Sequence, residues 1–293
     1  MRVRTLAAAF VSAGCIVSPA LLGDVVSIGA LKDNTLYEDP FGTISNGQGD
    51  GLFVGRTART GLIRRGLIAF DVAASVPAGS TITKVELTMN VTRAHGSTAT
   101  IRLHPALANW GEGASAAGSS SGGAGDTALP GDATWLHTFG YSQFWANAGG
   151  DYNPVSSATK GISGEGQYTW ASTPSMVANA QSWLNTPTTN FGWLMRAATE
   201  VSGTAKRFAT SEHLTAAWQP KLLIEYTPPP VCGSADFDGD GDSGTDLDIE
   251  AFFACLGGTC CATCGSSDFD GDGDAGTDLD IEAFFRVLGG GNC

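Results

Sequence analysis

Between Asp24 and Thr227 the chain has no cysteine, and its four histidines, His95, His104, His137 and His213, lie far apart with no metal-ligand spacing. A disulfide framework and a thiolate or imidazole zinc site are thereby excluded from that stretch. Charged residues are scarce at 15%, while glycine is abundant at 40 residues, a balance that disfavours long helices and favours strands and turns. No apolar run after the first two dozen residues is long enough to span a bilayer, so no membrane span is expected. The formal charge of −13 is not spread along the chain: 14 of the 29 acids and one of the 16 bases, Arg286, lie at or beyond Cys232. The remainder holds 15 of each and is neutral. A neutral body and an anionic tail offer no electrostatic footprint for nucleic acid, which is excluded as a partner.

The first residues, "MRVRTLAAAFVSAGCIVSPALLGD", place Arg2 and Arg4 before an apolar run from Leu6 to Val17 and small residues near Ser18 and Ala20. This is the pattern of a secretory signal peptide cleaved between Ala20 and Asp24. "SAGC" at Ser12–Cys15 spells a lipoprotein cysteine only loosely, because Ser12 stands where a large aliphatic residue belongs. Residues 1–23 are expected to be the signal, 24–227 the body, 228–231 a stiff proline-rich linker and 232–293 a separate tail. The expected location is extracellular or at the cell surface. Cys232, Cys255, Cys260, Cys261, Cys264 and Cys293 all fall in that tail, where an exported module of about sixty residues needs staples.

In the body, short runs of β-branched and aromatic residues alternate with polar ones and are punctuated by glycine or proline. Val85, Leu87, Met89 and Val91 share one face of such a run and Glu86, Thr88 and Asn90 the other. Nine or more such strands with a single helical pattern predict a mostly β fold, an antiparallel β-sandwich of jelly-roll type. The helix is "TPSMVANAQSWLN", with Thr173 as N-cap, Pro174 in the first turn, and Val177, Ala180, Gln181 and Leu184 at helical spacing.

From Trp110 to Tyr152 periodicity lapses, and two readings are open. The stretch is either a long loop pinned by its aromatic side chains or a ligand-facing loop. In the second case Trp135 and Trp145 would stack on sugar rings, with Glu112, Asp132 and Asp151 as polar or metal-holding partners. Catalysis has no comparable support. "GSSSG" at 118–122 matches a nucleophile elbow only in spelling, and Glu112 with Asp132 or Asp151 makes a glycosidase pair only by force. Arg207 and Glu212 are expected to form a structural ion pair.

The tail repeats itself. "DFDGDGDSGTDLDIEAFF" from Asp236 recurs as "DFDGDGDAGTDLDIEAFF" from Asp268, an interval of 32 residues. Asp236, Asp238 and Asp240 followed by Gly241, and Asp268, Asp270 and Asp272 followed by Gly273, open two EF-hand-type calcium loops. The twelfth position, where a closing carboxylate belongs, holds Leu247 or Leu279. Aligning the helix that follows, with Ile249, Phe252, Phe253 and Leu256 as its apolar stripe, makes Asp248 and Asp280 the closing ligands of loops one residue longer; Asp246 and Asp278 are the alternatives. A main-chain carbonyl near Asp242 and Asp274 would add a further oxygen. Calcium suits such a set better than magnesium, which demands tighter octahedral geometry. Cys232 matches Cys264 in the repeat and Cys261 matches Cys293, so symmetry predicts the pairs Cys232–Cys261 and Cys264–Cys293, leaving Cys255–Cys260.

Two calcium loops, each followed by one helix and set behind a proline-rich linker, resemble a dockerin, and most of all the dockerin-like tails of exported planctomycete-type proteins. The resemblance implies a calcium-dependent module that docks on a cohesin-like protein. The body resembles the DNRLRE domain family through "DNTLYEDPFGTISNGQGDGLFVGR", "RRGLIAFDV", "VPAGSTITKVELTMNV", "NWGEG" and "QPKLLIEY". That likeness implies a carbohydrate-binding-module-like sandwich at a surface, with polysaccharide or a cell-surface component as partner and no enzymatic activity. The alternatives are an adhesin or matrix protein without sugar binding, and a polysaccharide-degrading enzyme.

Overall fold

The computed structural model describes residues 23–58, 62–94, 96–118, 123–229 and 232–293. The expected signal segment up to Leu22, with Cys15, lies outside the described residues, as do His95 and residues 119–122 of the "GSSSG" run. Contacts divide the described chain into two compact units, one of them Gly23–Pro229 and the other containing Pro230–Cys293.

The body is built from β1 (Asp24–Gly29), β2 (Lys32–Tyr37), β3 (Ile44–Ser45), β4 (Gly51–Arg56), β5 (Ile63–Ala69), β6 (Thr81–Ala94) and β7 (Ala99–Pro105). It continues through β8 (Asp126–Thr127), β9 (His137–Phe139), β10 (Gln143–Phe144), β11 (Ala158–Ile162), β12 (Gly166–Trp170), helix α1 (Pro174–Asn185), β13 (Trp193–Ala197), β14 (Lys206–Ala209) and β15 (Lys221–Thr227). Every pair of these strands is antiparallel. One layer runs β1-β15-β6-β14-β4, with β12 on the far edge of β6; the other runs β2-β5-β13-β7-β11. The result is the mostly β antiparallel sandwich that the alternation predicts.

One strand joins the layers. Gly51–Val54 of β4 pairs with β14, whereas Gly55 and Arg56 pair with β5. Gly55 makes the switch at φ +116°, and a Cβ there would stand 2.6 Å from the Thr204 carbonyl oxygen. Only glycine meets both demands, and the sheet curls at this corner.

Val85, Leu87, Met89 and Val91 of β6 are buried on the face expected for them and meet Ile101 and Leu103 of β7 in the space between the layers. Thr173 caps α1 by accepting from the Met176 amide, and Met176, Ala180, Trp183 and Leu184 turn inward. The outer face of the second layer is apolar as well. Ile68 and Met195 enter the main core, so their neighbours Leu67 and Leu194 point the other way, as strand geometry requires. The segment from Trp110 to Tyr152 covers them, laying Trp110, Ala133 and Trp145 over Leu36, Leu67 and Leu194.

The tail holds two helices, α2 (Asp246–Leu256) and α3 (Asp278–Leu288), each behind an aspartate loop. Phe237, Phe252, Phe269 and Phe284, equivalent in pairs between the repeats, form its core with Cys255 and Ala283. Phe253, expected in the apolar stripe, is 47% exposed, and its counterpart Phe285 is 45% exposed. Each helix buries a narrower stripe than its sequence offers because, within this unit, its contact is the other repeat.

The cysteine pairs correct the symmetric expectation in two of three cases. Cys232 joins Cys293, Cys261 joins Cys264, and Cys255 joins Cys260 as predicted. The two blocks share one core, so the start of the first meets the end of the second, and each block is not closed on itself.

Candidate metal centre and loop surface

In the first repeat Asp236, Asp238 and Asp240 bring one carboxylate oxygen each to within 4.8 Å of one another. In the second, Asp268, Asp270 and Asp280 do so. The main chain imposes this convergence. The Asp240 amide donates to Asp238 Oδ1 (3.1 Å), the Gly241 amide to Asp236 Oδ2 (3.2 Å) and the Asp242 amide to Asp240 Oδ1 (2.8 Å). Gly241 and Gly273 take φ +98° and +95°, the turn that the glycine after the third aspartate predicts. The same bonds recur around Asp268, Asp270 and Asp272.

What remains is an oxygen with nothing to bond. Asp236 Oδ1 and, at the equivalent place, Asp268 Oδ1 are buried and have no hydrogen-bond partner. An unsatisfied buried polar atom costs roughly 1–3 kcal/mol, and a charged carboxylate more. Its recurrence in both repeats makes it a property of the loop.

Asp248, expected to close the first loop, is held at the start of its helix and is not in the first cluster. Thr245 caps α2, and Asp248 is the third helical residue in a capping box. Its Oδ1 accepts from the amides of Phe237 (2.7 Å) and Asp238 (3.3 Å), and its Oδ2 from the Thr245 amide (2.7 Å) and hydroxyl (3.0 Å). Asp280 is bonded likewise by Phe269, Asp270 and Thr277, yet it also joins the second cluster. Burial pushes both carboxyls up, but these donors outweigh it and hold them below the ordinary range. Burial lifts Asp270, and the neighbouring charges of Asp272, Asp280 and Asp268 lift it further, with only the Asp272 amide opposing. Asp242, Asp246, Asp274 and Asp278 are exposed and stand outside both clusters, and Asp272 is outside the second.

In the body, the structure favours the pinned reading of the long loop for the residues named above. Asp132 is fully buried and accepts from the amides of Ser115 (3.3 Å) and Leu129 (2.6 Å). Trp145 is buried, with its indole N–H on the Thr134 carbonyl (2.9 Å). Neither is placed to face a ligand. Asp151 closes a turn by accepting from the amides of Ala146 (2.6 Å) and Asn147 (2.9 Å). Trp135 lies half-buried with the Arg65 guanidinium 5.0 Å from its ring, and Arg65 is itself held by Glu200 at 2.8 Å. Glu112 accepts from the Asp33 amide (2.8 Å) and the Gln48 side chain (3.1 Å). Arg207 pairs with Asp50 (2.6 Å), not with Glu212.

The aromatic side chains that do face solvent lie a few residues away. Phe144 is 66% exposed and Tyr141 54%, and both rings flank His137, at 4.5 and 5.8 Å between centroids. A Cβ added at Gly42, next to the 75% exposed Phe41, would stand 2.9 Å from Nδ1 of the same histidine. Tyr141 has φ +64°, alone among the described non-glycine residues in that region, a strain of the kind that persists where the surroundings over-determine it. No spacing in the sequence separates these rings from Trp135 and Trp145.

No family model matches this chain, and no curated protein matches it. No helix among the described residues is long and apolar enough to cross a membrane.

Proposed function

We propose that this is an exported, non-catalytic protein whose tail folds around calcium and attaches it to a partner, while its sandwich binds polysaccharide at a surface. The observation that carries the calcium reading is the orphaned Oδ1 of Asp236, repeated at Asp268, each inside a cluster of carboxylates. Oxygen is the only donor there, which suits calcium; the six tail cysteines are in disulfides, so thiolate zinc has no ligands. Asp236, Asp238 and Asp240 would hold one ion, and Asp268, Asp270 and Asp280 the other. The ion would offset the mutual repulsion of each block's carboxylates and so add its binding energy to folding.

Attachment is supported by an apolar patch in the same unit. Phe253 and Phe285 lie 6.2 Å apart and are both about half exposed, and Leu247 and Leu279 are 57% and 58% exposed. Paired exposure at equivalent positions fits docking of a partner such as the cohesin-like protein that the dockerin resemblance implies. For polysaccharide, Tyr141 and Phe144 offer ring faces on which sugars stack. Calorimetric titration of the oxidised chain with calcium, repeated on Asp236→Asn/Asp268→Asn, tests the tail. Heat that the double variant leaves unchanged would count against it. A glycan array tests the body.

A further inference from the structure

Away from the tail, two more carboxylate oxygens are buried without a partner, and they belong to residues the fold brings together from opposite ends of the body. Asp33 on β2 is fully buried, and its Oδ2 accepts from the Ser211 amide (2.9 Å) and hydroxyl (2.9 Å). The same hydroxyl lies 2.7 Å from Glu212 Oε1. A hydroxyl has one proton, so it can satisfy only one of these two carboxylates at a time. Glu112 arrives from the long loop and bonds the Asp33 amide at 2.8 Å. Asp33 Oδ1 and Glu212 Oε2 are left buried with no hydrogen-bond partner.

The charge of Lys32 acts on Glu112 without contact, and among the described residues no basic side chain reaches Asp33 or Glu212. Among the described residues no ion pair involves Asp33, Glu112 or Glu212. Lys32, the neighbour of Asp33, instead turns its ammonium to Asn109 Oδ1 (3.0 Å), the Trp110 carbonyl and the face of the Trp110 ring (4.1 Å). One fully buried and two half-buried carboxylates with two orphaned oxygens and no ion-paired cation are unfavourable as three charges, and burial together with their mutual repulsion raises Asp33 and Glu112, so a proton or a cation has to join them.

We propose that Asp33 and Glu212 ligate a divalent cation of the calcium type in the body, with Glu112 behind them as a third negative charge. Both oxygens of Glu112 are already bonded, to the Asp33 amide and to Gln48, which suits a neighbouring role. Only the tail groups bring three such oxygens within 4.8 Å among the described residues. The rest of the body ion's shell therefore falls to water and main-chain oxygens, a mixture that calcium accepts. Such an ion ties β2 to the segment after β14 and to the start of the long loop. It stabilises the sandwich independently of the tail.

The two halves of the chain can be read separately by terbium luminescence, with terbium as the calcium substitute. All seven tryptophans lie before Cys232, and the tail has neither tryptophan nor tyrosine. Emission sensitised by tryptophan that survives removal of the tail carboxylates therefore reports the body, where Trp110 lies against Lys32. The full oxidised chain should give saturable sensitised emission that calcium displaces. It should persist in Asp236→Asn/Asp268→Asn, so failure of the tail reading leaves this one standing, and the reverse. In Asp33→Asn and Glu212→Gln the affinity should fall by about ten-fold or more. Should Asp33→Asn fail to fold, Glu212→Gln decides, because its side chain is only partly buried and its fold can be checked by circular dichroism. Absence of saturable emission from the folded wild type, emission that calcium cannot displace, or full affinity in a folded Glu212→Gln would each overturn the proposal.

Discussion

The rings of Phe252 and Phe284 lie face to face, with centroids 4.1 Å apart and planes 13° from parallel. They occupy the same position in the two repeats, both are fully buried, and Phe237 and Phe269 pack edge-on against them. Neither repeat has a core without the other. Phe252→Ala should therefore cost about 3–5 kcal/mol of tail stability, the usual range for a buried phenylalanine. Phe252→Ala/Phe284→Ala should cost less than the sum, because each ring is the other's principal contact. Denaturation followed through the tail's helical signal checks this, and strict additivity would show the pair to be uncoupled.

Acid should loosen the tail through Asp248 and Asp280. Their folded carboxyls sit below the ordinary value near 3.8 despite burial, because amides and threonine hydroxyls stabilise the charged form. The unfolded chain then binds more protons, so this stabilisation is full above about pH 4 and disappears as pH falls through the folded values. Asp270, lifted by burial and by its neighbours, works in the opposite sense and is relieved on protonation. In calcium-free buffer, exchange protection of the Phe237 and Phe269 amides, which donate to Asp248 and Asp280, should fall in acid. Protection that holds unchanged down to pH about 2 would contradict the linkage.

Peptide mapping without reduction should recover Cys232 bound to Cys293, Cys255 to Cys260, and Cys261 to Cys264. Because the first bond spans 61 residues, Cys232→Ser/Cys293→Ser should lower tail stability by about 4 kcal/mol in the chain-entropy account. Recovery of Cys232 linked to Cys261 would mean that each block closes separately.

In the body, Tyr141→Ala and Phe144→Ala should abolish retardation in polysaccharide affinity gels at a cost in stability of about 1 kcal/mol, since both rings are exposed and the loss is mainly the bond from the Tyr141 hydroxyl to the Ala128 carbonyl. Trp145→Ala should do the converse, with a loss of about 3–5 kcal/mol from the core over β2, β5 and β13. Normal retardation of the Tyr141→Ala/Phe144→Ala protein would move any sugar contact elsewhere.

Much of this was legible locally. Alternation along β6 named its buried face, Thr173 marked the start of α1, and the aspartate–glycine spelling located both acidic loops to the residue. The exposure of Phe144 beside the buried Trp145 was not legible. Phe144 ends β10 and Trp145 follows it, and which ring turns inward depends on Leu36, Leu67 and Leu194, far off in sequence. Phe253 was misplaced for the same reason, since the width of a helix's buried stripe depends on what it packs against.

The order of residues by itself determined the β-rich class, the duplicated tail and the carboxylate pattern of its loops, because these follow from periodicity and spacing within a few residues. Tertiary structure alone decided that β4 changes layers at Gly55, that Cys232 meets Cys293, and that Asp33 and Ser211, 178 residues apart, share a hydrogen bond. Such pairings depend on loop closure and on the fit of surfaces that no local pattern encodes, and the orphaned-oxygen site of the body rests on one of them.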